Sequence, residues 1–233
     1  MKNVKDDRGF NQVWAESEST RIRAERRCDY MLSLMDLKSD ISIMEIGCGV
    51  GTNAHLMAMK SGKKILGTDL CVPFIEEAKK KFVLPGLRYE VLDFNKAADF
   101  KGETFNYIIG NGILHHLYHH LDEVFINMMR LLKAGGKIIF LEPNIYNPYC
   151  AVIFNFARKW AHLEPDEMAF SKSFITNKLK KAGFKNISVE YKDFLLPGIP
   201  PMLVQPSIHI GNVIEKIPIM KMVSQSIYIS AER

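Results

Sequence analysis

The chain has 233 residues, 47% of them hydrophobic and 24% charged, with a formal net charge of +5. That composition supports a substantial core and excludes a disordered or low-complexity chain. No uncharged apolar run reaches the about 18 residues of a spanning helix, and the polar N-terminus lacks the apolar stretch of a secretory leader, so a cytoplasmic protein is expected.

Much of the basic excess sits in Arg21, Arg23, Arg26 and Arg27 and in Lys79–Lys81. With no aromatic side chains interleaved, these read as solvated helix faces, and no nucleic-acid partner is expected. Cys28, Cys48, Cys71 and Cys150 are widely spaced and form no CxxC pair. They are expected to be free thiols, not zinc ligands.

In chain order, residues 1–40 read as a helical extension with Ile22, Ala24, Tyr30, Met31, Leu34 and Leu37 on one face. Strands are expected at 41–46, 64–69, 87–92, 104–110 and 137–142. Helices are expected between them at 52–60, 72–82 and 122–132, and Gly135-Gly136 is read as a break before the fifth strand. Strand and helix alternating this often imply a parallel sheet covered on both faces. An aromatic-rich segment follows, expected to be helical around 151–162. A helix at 173–182 ends at Gly183, and a sixth strand spans 187–191. Residues 194–222 are apolar and broken by Pro197, Pro200, Pro201, Pro206 and Pro218, which argue against one long helix. Residues 225–231 form a last strand. The expected organisation is one domain: a helical segment at 1–40, a core at 41–142, and inserted segments at 144–170 and 194–223.

Glu45-Ile46-Gly47-Cys48-Gly49-Val50-Gly51 joins the first strand to the first core helix. Its glycines permit a sharp turn and close approach of a ligand to the backbone. A dinucleotide site would read GxGxxG. Here the spacing is GxGxG, with an acid directly before it. A carboxylate at that point repels a pyrophosphate and suits the ammonium-bearing end of a sulfonium cofactor. The second strand ends at Thr68-Asp69-Leu70, where a carboxylate can accept from both hydroxyls of a ribose. The third ends at Leu92-Asp93-Phe94, an acid and an aromatic suited to an adenine. All three lie at the carboxyl edge of the sheet, where ligands bind in open α/β folds.

Residues 41–142 therefore resemble the class I S-adenosylmethionine-dependent methyltransferases, closest to the small-molecule branch that includes quinone and sterol methylases. The matching stretches are 44–58, 67–70, 90–95, 105–117 and 131–144. The resemblance implies a Rossmann-like α/β fold with seven strands in the order 3-2-1-4-5-7-6, the last antiparallel. It implies a site for S-adenosylmethionine and its product S-adenosylhomocysteine. Glu45, Gly47, Cys48, Gly49 and Gly51 would line the amino-acid end. Asp69 and Leu70 would hold the ribose, and Asp93 and Phe94 the adenine. Asn111 and Gly112 would lie under the methionine part, and 114–116 would face the acceptor. Asn106 stands where the family has an acid, a position read as structural. Asn111-Gly112-Ile113-Leu114 stands where nucleic-acid amino-methylases carry a Pro-Pro motif, which speaks against base methylation.

His115, His116, His119 and His120 include two pairs at i, i+4 spacing, but no neighbouring Glu or Cys completes a ligand set, and no metal is expected. His115 is the candidate general base, since imidazole titrates near working pH. His116 is read as packing that fixes the loop. Glu142-Pro143-Asn144 reads either as a capped turn or as a wall of the acceptor site. Trp14 and its helix resemble a lid. The apolar segments 146–160 and 194–222 read as core or dimer contacts, or as a pocket or membrane-facing surface for an apolar acceptor. The expected activity is methyl transfer to oxygen or carbon, with nitrogen possible, by a monomer or homodimer. An NAD-dependent oxidoreductase and a non-catalytic partner protein are the alternatives.

Overall fold

The computed structural model describes residues 17–38, 40–94, 103–157, 163, 167–196 and 198–233. Trp14, Trp160 and most of the expected helical segment at 1–40 before Ser17 lie outside them. Sixteen residues of that segment, Glu18–Ser33, form helix α1, capped by Ser17, whose side chain accepts from the Thr20 N–H.

Seven strands follow: β1 (Ser42–Ile46), β2 (Lys64–Asp69), β3 (Leu87–Val91), β4 (Phe105–Asn111), β5 (Leu132–Pro143), β6 (Lys185–Lys192) and β7 (Ser226–Glu232). They form one sheet in the order β3-β2-β1-β4-β5-β7-β6. β3, β2, β1, β4 and β5 are parallel, and β7 runs antiparallel to both its neighbours. The intervening helices are α2 (Thr52–Ser61), α3 (Val72–Lys81), α4 (Leu121–Leu131), α5 (Pro148–Asn155), α6 (Lys172–Lys181) and α7 (Pro201–Ile214).

Alternation along each strand divides the core between the two sheet faces. Met44, Ile108, Ile138, Phe140, Ile227 and Ile229 pack with Val124, Phe125, Met128, Ile175 and Leu179 of α4 and α6. Ile43, Ile65, Ile109, Ile139, Leu141 and Tyr228 pack with Cys28, Met31, Ala54, Met57, Ile75 and Ala78 of α1, α2 and α3.

Two local expectations are corrected and one holds. Gly135-Gly136 does not begin the fifth strand, which starts at Leu132; the register jumps from Phe105↔Leu132 to Tyr107↔Lys137. The glycine pair therefore sits in a bulge, and Gly135 takes a left-handed φ of 74° that other residues avoid. As the prolines imply, 194–222 is not one long helix; it holds the 14-residue α7 and a separate 3₁₀ turn at Met220–Val223. Pro201 occupies the first turn of α7, where no N–H is needed, and Pro206 removes one bond on an exposed face. The helix expected at 151–162 instead starts at Pro148, capped by Asn147, and is assigned as far as Asn155.

Candidate active site

The buried apolar residues of β1 fix its end, and the chain leaves it through Gly47, Gly49 and Gly51, at φ values of 67°, 54° and 85°. A Cβ on Gly47 would lie 2.6 Å from Ile113, and one on Gly51 2.7 Å from the Tyr89 hydroxyl. A Cβ on Gly49 would meet nothing within 4 Å. Two glycines thus close the turn against the protein, and the third leaves backbone facing open space. Cys48 is buried, and its N–H donates to the Thr68 carbonyl at 2.9 Å, while the Gly51 N–H returns to the Cys48 carbonyl at 2.9 Å.

Glu45 is 1% exposed at the floor of this turn. Its Oε1 accepts from Asn53 Nδ2 at 2.7 Å, and its Oε2 is buried with no hydrogen-bond partner among the described residues. Burial, reinforced by the nearby Asp69 charge, raises its pKa to about 8 against the pull of Asn53. A buried, half-satisfied carboxyl beside an open glycine turn is suited to a cationic ligand group.

Asp69, at the end of β2, locks the turn from the other side. Its Oδ2 accepts from the Gly49 N–H and its Oδ1 from the Cys71 N–H, each at 2.8 Å. Each oxygen keeps lone-pair capacity for a further donor. Leu70 beside it is 41% exposed. Asp93 is partly exposed next to β3, whereas Phe94 is 5% exposed and joins the core cluster, with its carbonyl accepting from Asn127 at 3.3 Å. Asn106 accepts from the Ser42 N–H at 3.0 Å and from Lys133 Nζ at 3.0 Å, a wholly structural use.

β4 ends at Asn111, whose Oδ1 accepts from Arg27 at 3.2 Å, and Gly112 follows at φ 70°. Arg27 also pairs with Asp193 at 3.0 Å, their side chains 12% and 9% exposed, and donates to Gln225 at 2.9 Å. Arg23 donates to the same Gln225 oxygen at 3.1 Å, and burial together with Arg27 lowers its pKa to about 10. Arg23 and Arg27 are therefore not the solvated face expected of them; they tie α1 across the carboxyl edge of the sheet.

At the end of β5, Glu142 is fully buried. Its Oε1 accepts from the N–H groups of Ile113 at 3.0 Å and Leu114 at 2.7 Å. Its Oε2 accepts from the His115 N–H at 3.3 Å and lies 2.8 Å from His115 Nδ1. One carboxylate thus both anchors the 3₁₀ turn Leu114–His120 and orients the imidazole. With Nδ1–H donating to Glu142, the remaining ring nitrogen carries the lone pair. His115 Nε2 lies 3.8 Å from Glu167, and His116 Nδ1 lies 2.8 Å from the same carboxylate.

Sequence reasoning missed Glu167 altogether, and the expectation that no acid joins the histidines is overturned. It lies 51 positions from His116, and nothing in its surroundings marks it. The ligating atoms of His115, His116 and Glu167 lie within 4.8 Å of one another. Glu142 was legible as an acid at a strand end, but its partner was not. His120 lies 4.0 Å from Glu123, and its side chain, like that of Glu123, is largely exposed.

Residues 44–140 match the family described as a methyltransferase domain. The chain is 28% identical over 189 residues to the squalestatin tetraketide synthase of Phoma sp., covering 73% of this chain but 7% of that protein. It is also 28% identical over 177 residues to the ubiquinone/menaquinone biosynthesis C-methyltransferase UbiE of Desulfotalea psychrophila, covering 66% of this chain and 69% of that one. The fold is shared with a SAM-dependent methyltransferase from Archaeoglobus fulgidus, at a TM-score of 0.65 and 17% identity, over 91% of this chain and 94% of the other. Residues 44–140 are thus similar in sequence to a methyltransferase domain, and the chain shares the fold of a solved SAM-dependent methyltransferase.

Proposed function

We propose that the protein moves the methyl group of S-adenosylmethionine to a carbon or oxygen of a small apolar or lipid-linked acceptor, with His115 as general base. The observation that carries this reading is the buried Glu142–His115 contact at 2.8 Å, which leaves Nε2 as a proton acceptor at the carboxyl edge of the sheet. The similarity to a C-methyltransferase supports a carbon acceptor. One domain is proposed, with 144–170 and 194–223 forming the acceptor side. Four buried free thiols fit a reducing compartment, and a cytoplasmic location belongs to this reading.

The unsatisfied Glu45 oxygen and the open turn at Gly49 fit the cofactor. When bound, S-adenosylmethionine supplies an electrophilic methyl carbon on a sulfonium. Glu45 would face its ammonium group, Gly47, Cys48, Gly49 and Gly51 its amino-acid end, and Asn111 and Gly112 its methionine part. Asp69 and Leu70 would hold the ribose, and Asp93 and Phe94 the adenine. The bound group would supply its methyl carbon to the acceptor atom by direct displacement, with the electron pair of the broken carbon–sulfur bond left on sulfur. His115 Nε2 takes the acceptor's proton, and Glu142 holds the resulting imidazolium. Glu167, 2.8 Å from His116 Nδ1 and 3.8 Å from His115 Nε2, adds a second carboxylate to stabilise that imidazolium.

The test is transfer from methyl-tritiated donor to a panel of quinols, phenols and acyl thioesters. His115→Ala is expected to lower turnover by about 10²–10⁴-fold while leaving S-adenosylhomocysteine affinity unchanged. Unchanged turnover in that variant removes His115 as the base.

A further inference from the structure

The outward face of helix α7 takes no part in the donor and base contacts assigned above. Helix α7 is apolar on both faces. Val204, Ile208 and Gly211 are buried, with Val204 and Ile208 packed beside Leu195, Ile22 and Ile199. On the opposite face Met202 is 82% exposed, Ile210 60% and Val213 61%. Beyond the helix the exposed series continues through Ile217 and Ile219. Scattered exposure does not account for so dense a run of exposed apolar side chains.

The charges in this segment select what covers it. Between 199 and 223 the sequence holds one acid, Glu215, and two lysines, Lys216 and Lys221. Glu215 is withdrawn: its carboxylate pairs with Lys192 at 3.1 Å and accepts from the Asp193 N–H at 2.8 Å, with the side chain 14% exposed. Arg26 adds a third cation, donating to Asn212 of α7 at 3.4 Å. The outward face is therefore apolar with a cationic rim. A second copy of the chain, packed face to face about a twofold axis, would set like charges against each other with no exposed acid to relieve them. An anionic lipid surface complements both parts, since apolar side chains enter the acyl boundary while lysines reach the headgroups. The helix spans only about 21 Å at 1.5 Å per residue, short of a bilayer core, and no described helix is long and apolar enough to cross.

The same segment is fastened to the active site. Asn144 Nδ2 donates to the Met222 and Ser224 carbonyls at 2.9 and 2.8 Å, and Asn147 Nδ2 to the Val223 carbonyl at 2.7 Å. Asn144 stands two residues beyond Glu142, so the greasy surface is tied to the strand end that holds His115 through Glu142.

We propose that the 201–223 segment is an interfacial docking surface for an anionic phospholipid leaflet, lying in the membrane plane beside the acceptor cavity. The docking stands by itself; only delivery of a membrane-borne acceptor to His115 rests on the methyl-transfer reading.

Flotation of the full chain with phosphatidylcholine vesicles, with and without phosphatidylglycerol, tests it. Binding to the phosphatidylglycerol vesicles is expected to be at least about tenfold stronger and to weaken with salt, and Lys216→Gln and Lys221→Gln should each reduce it by about fivefold. The double variant Ile210→Glu/Val213→Glu should abolish flotation while keeping S-adenosylhomocysteine affinity, which shows that it is folded. Failure of the wild type to float, equal binding to neutral vesicles, or unchanged flotation of the double variant overturns the proposal. So does a concentration-dependent dimer, seen by sedimentation, that the double variant dissociates. Flotation without any cofactor binding would instead sink the methyl-transfer reading and leave the docking intact.

Discussion

Glu45 is ionised in an unfolded chain above the ordinary carboxylate range but stays protonated in the folded, ligand-free protein up to about pH 8, because burial penalises its charge. The folded state then binds the extra proton between those limits, so this residue's contribution to stability falls as pH rises from about 4.5 to about 8. Glu45→Gln should flatten that decline, raising the Tm of the free protein at pH 8 relative to wild type. A cationic ligand reverses the preference and expels the proton. Calorimetry of S-adenosylhomocysteine binding in buffers of different ionisation heat should therefore show proton release at pH 7 that Glu45→Gln removes; identical proton counts in both proteins would contradict the assignment. The GxGxG spacing and the acid before it made this residue legible in the sequence. Its unsatisfied oxygen was not, because that depends on Asn53 taking only one side of the carboxyl.

The histidines present the converse case. The sequence marked His115 but supplied neither of its carboxylates, since Glu142 and Glu167 meet it only through the pairing of distant segments. The separation of 2.8 Å between His116 and Glu167 is that of a direct hydrogen bond, shorter than the roughly 3.3 Å between two ligands in a tetrahedral zinc shell. Dialysis against a chelator is accordingly expected to leave methyl transfer unchanged. Activity lost on chelation and restored by zinc would show that the cluster is a metal site.

Among the elements, α1 departs most from its sequence reading. Four arginines on one helix ordinarily signal a solvated face, and the pattern gives no sign that two of them turn inward. Arg27 is held by Asp193, Gln225 and Asn111, from three separate segments, so its burial is a tertiary effect invisible to periodicity. Breaking a buried pair strands the remaining charge, at a cost of about 3–5 kcal/mol. Arg27→Met should lose about that much in urea unfolding, and Arg27→Met/Asp193→Asn should recover part of it. Equal losses in the single and double variants would mean that the pair is not coupled. Other elements were read well where chemistry is local. Gly183 follows α6 at φ 93°, as a helix stop requires, and the interior strands β1, β2 and β4 carry the apolar runs that burial on both faces demands. The prolines of 194–222 correctly ruled out one long helix, but they did not reveal that Pro201 starts a shorter one.

At the scale of the molecule, alternation of strand and helix gave the sheet and its parallel core, but it cannot order the strands. The order 3-2-1-4-5-7-6 followed from the resemblance carried by 44–58 and its companion stretches, and the structure has that order. Strand order is what brings Glu45, Asp69, Asn111 and Glu142 to one edge, with Arg27 of α1 reaching across it. The proposed function accordingly depends on the cleft between the ends of β1, β2 and β4 accepting one charged nucleoside.

The most direct measurement is a calorimetric titration of wild type and Asp69→Ala with S-adenosylhomocysteine. The wild type is expected to bind at one site, and Asp69→Ala to bind more weakly by about 1.5–3 kcal/mol, the worth of a charge-assisted hydrogen bond. No binding by the wild type, or equal affinity in the variant, would contradict the placement of the donor in this cleft.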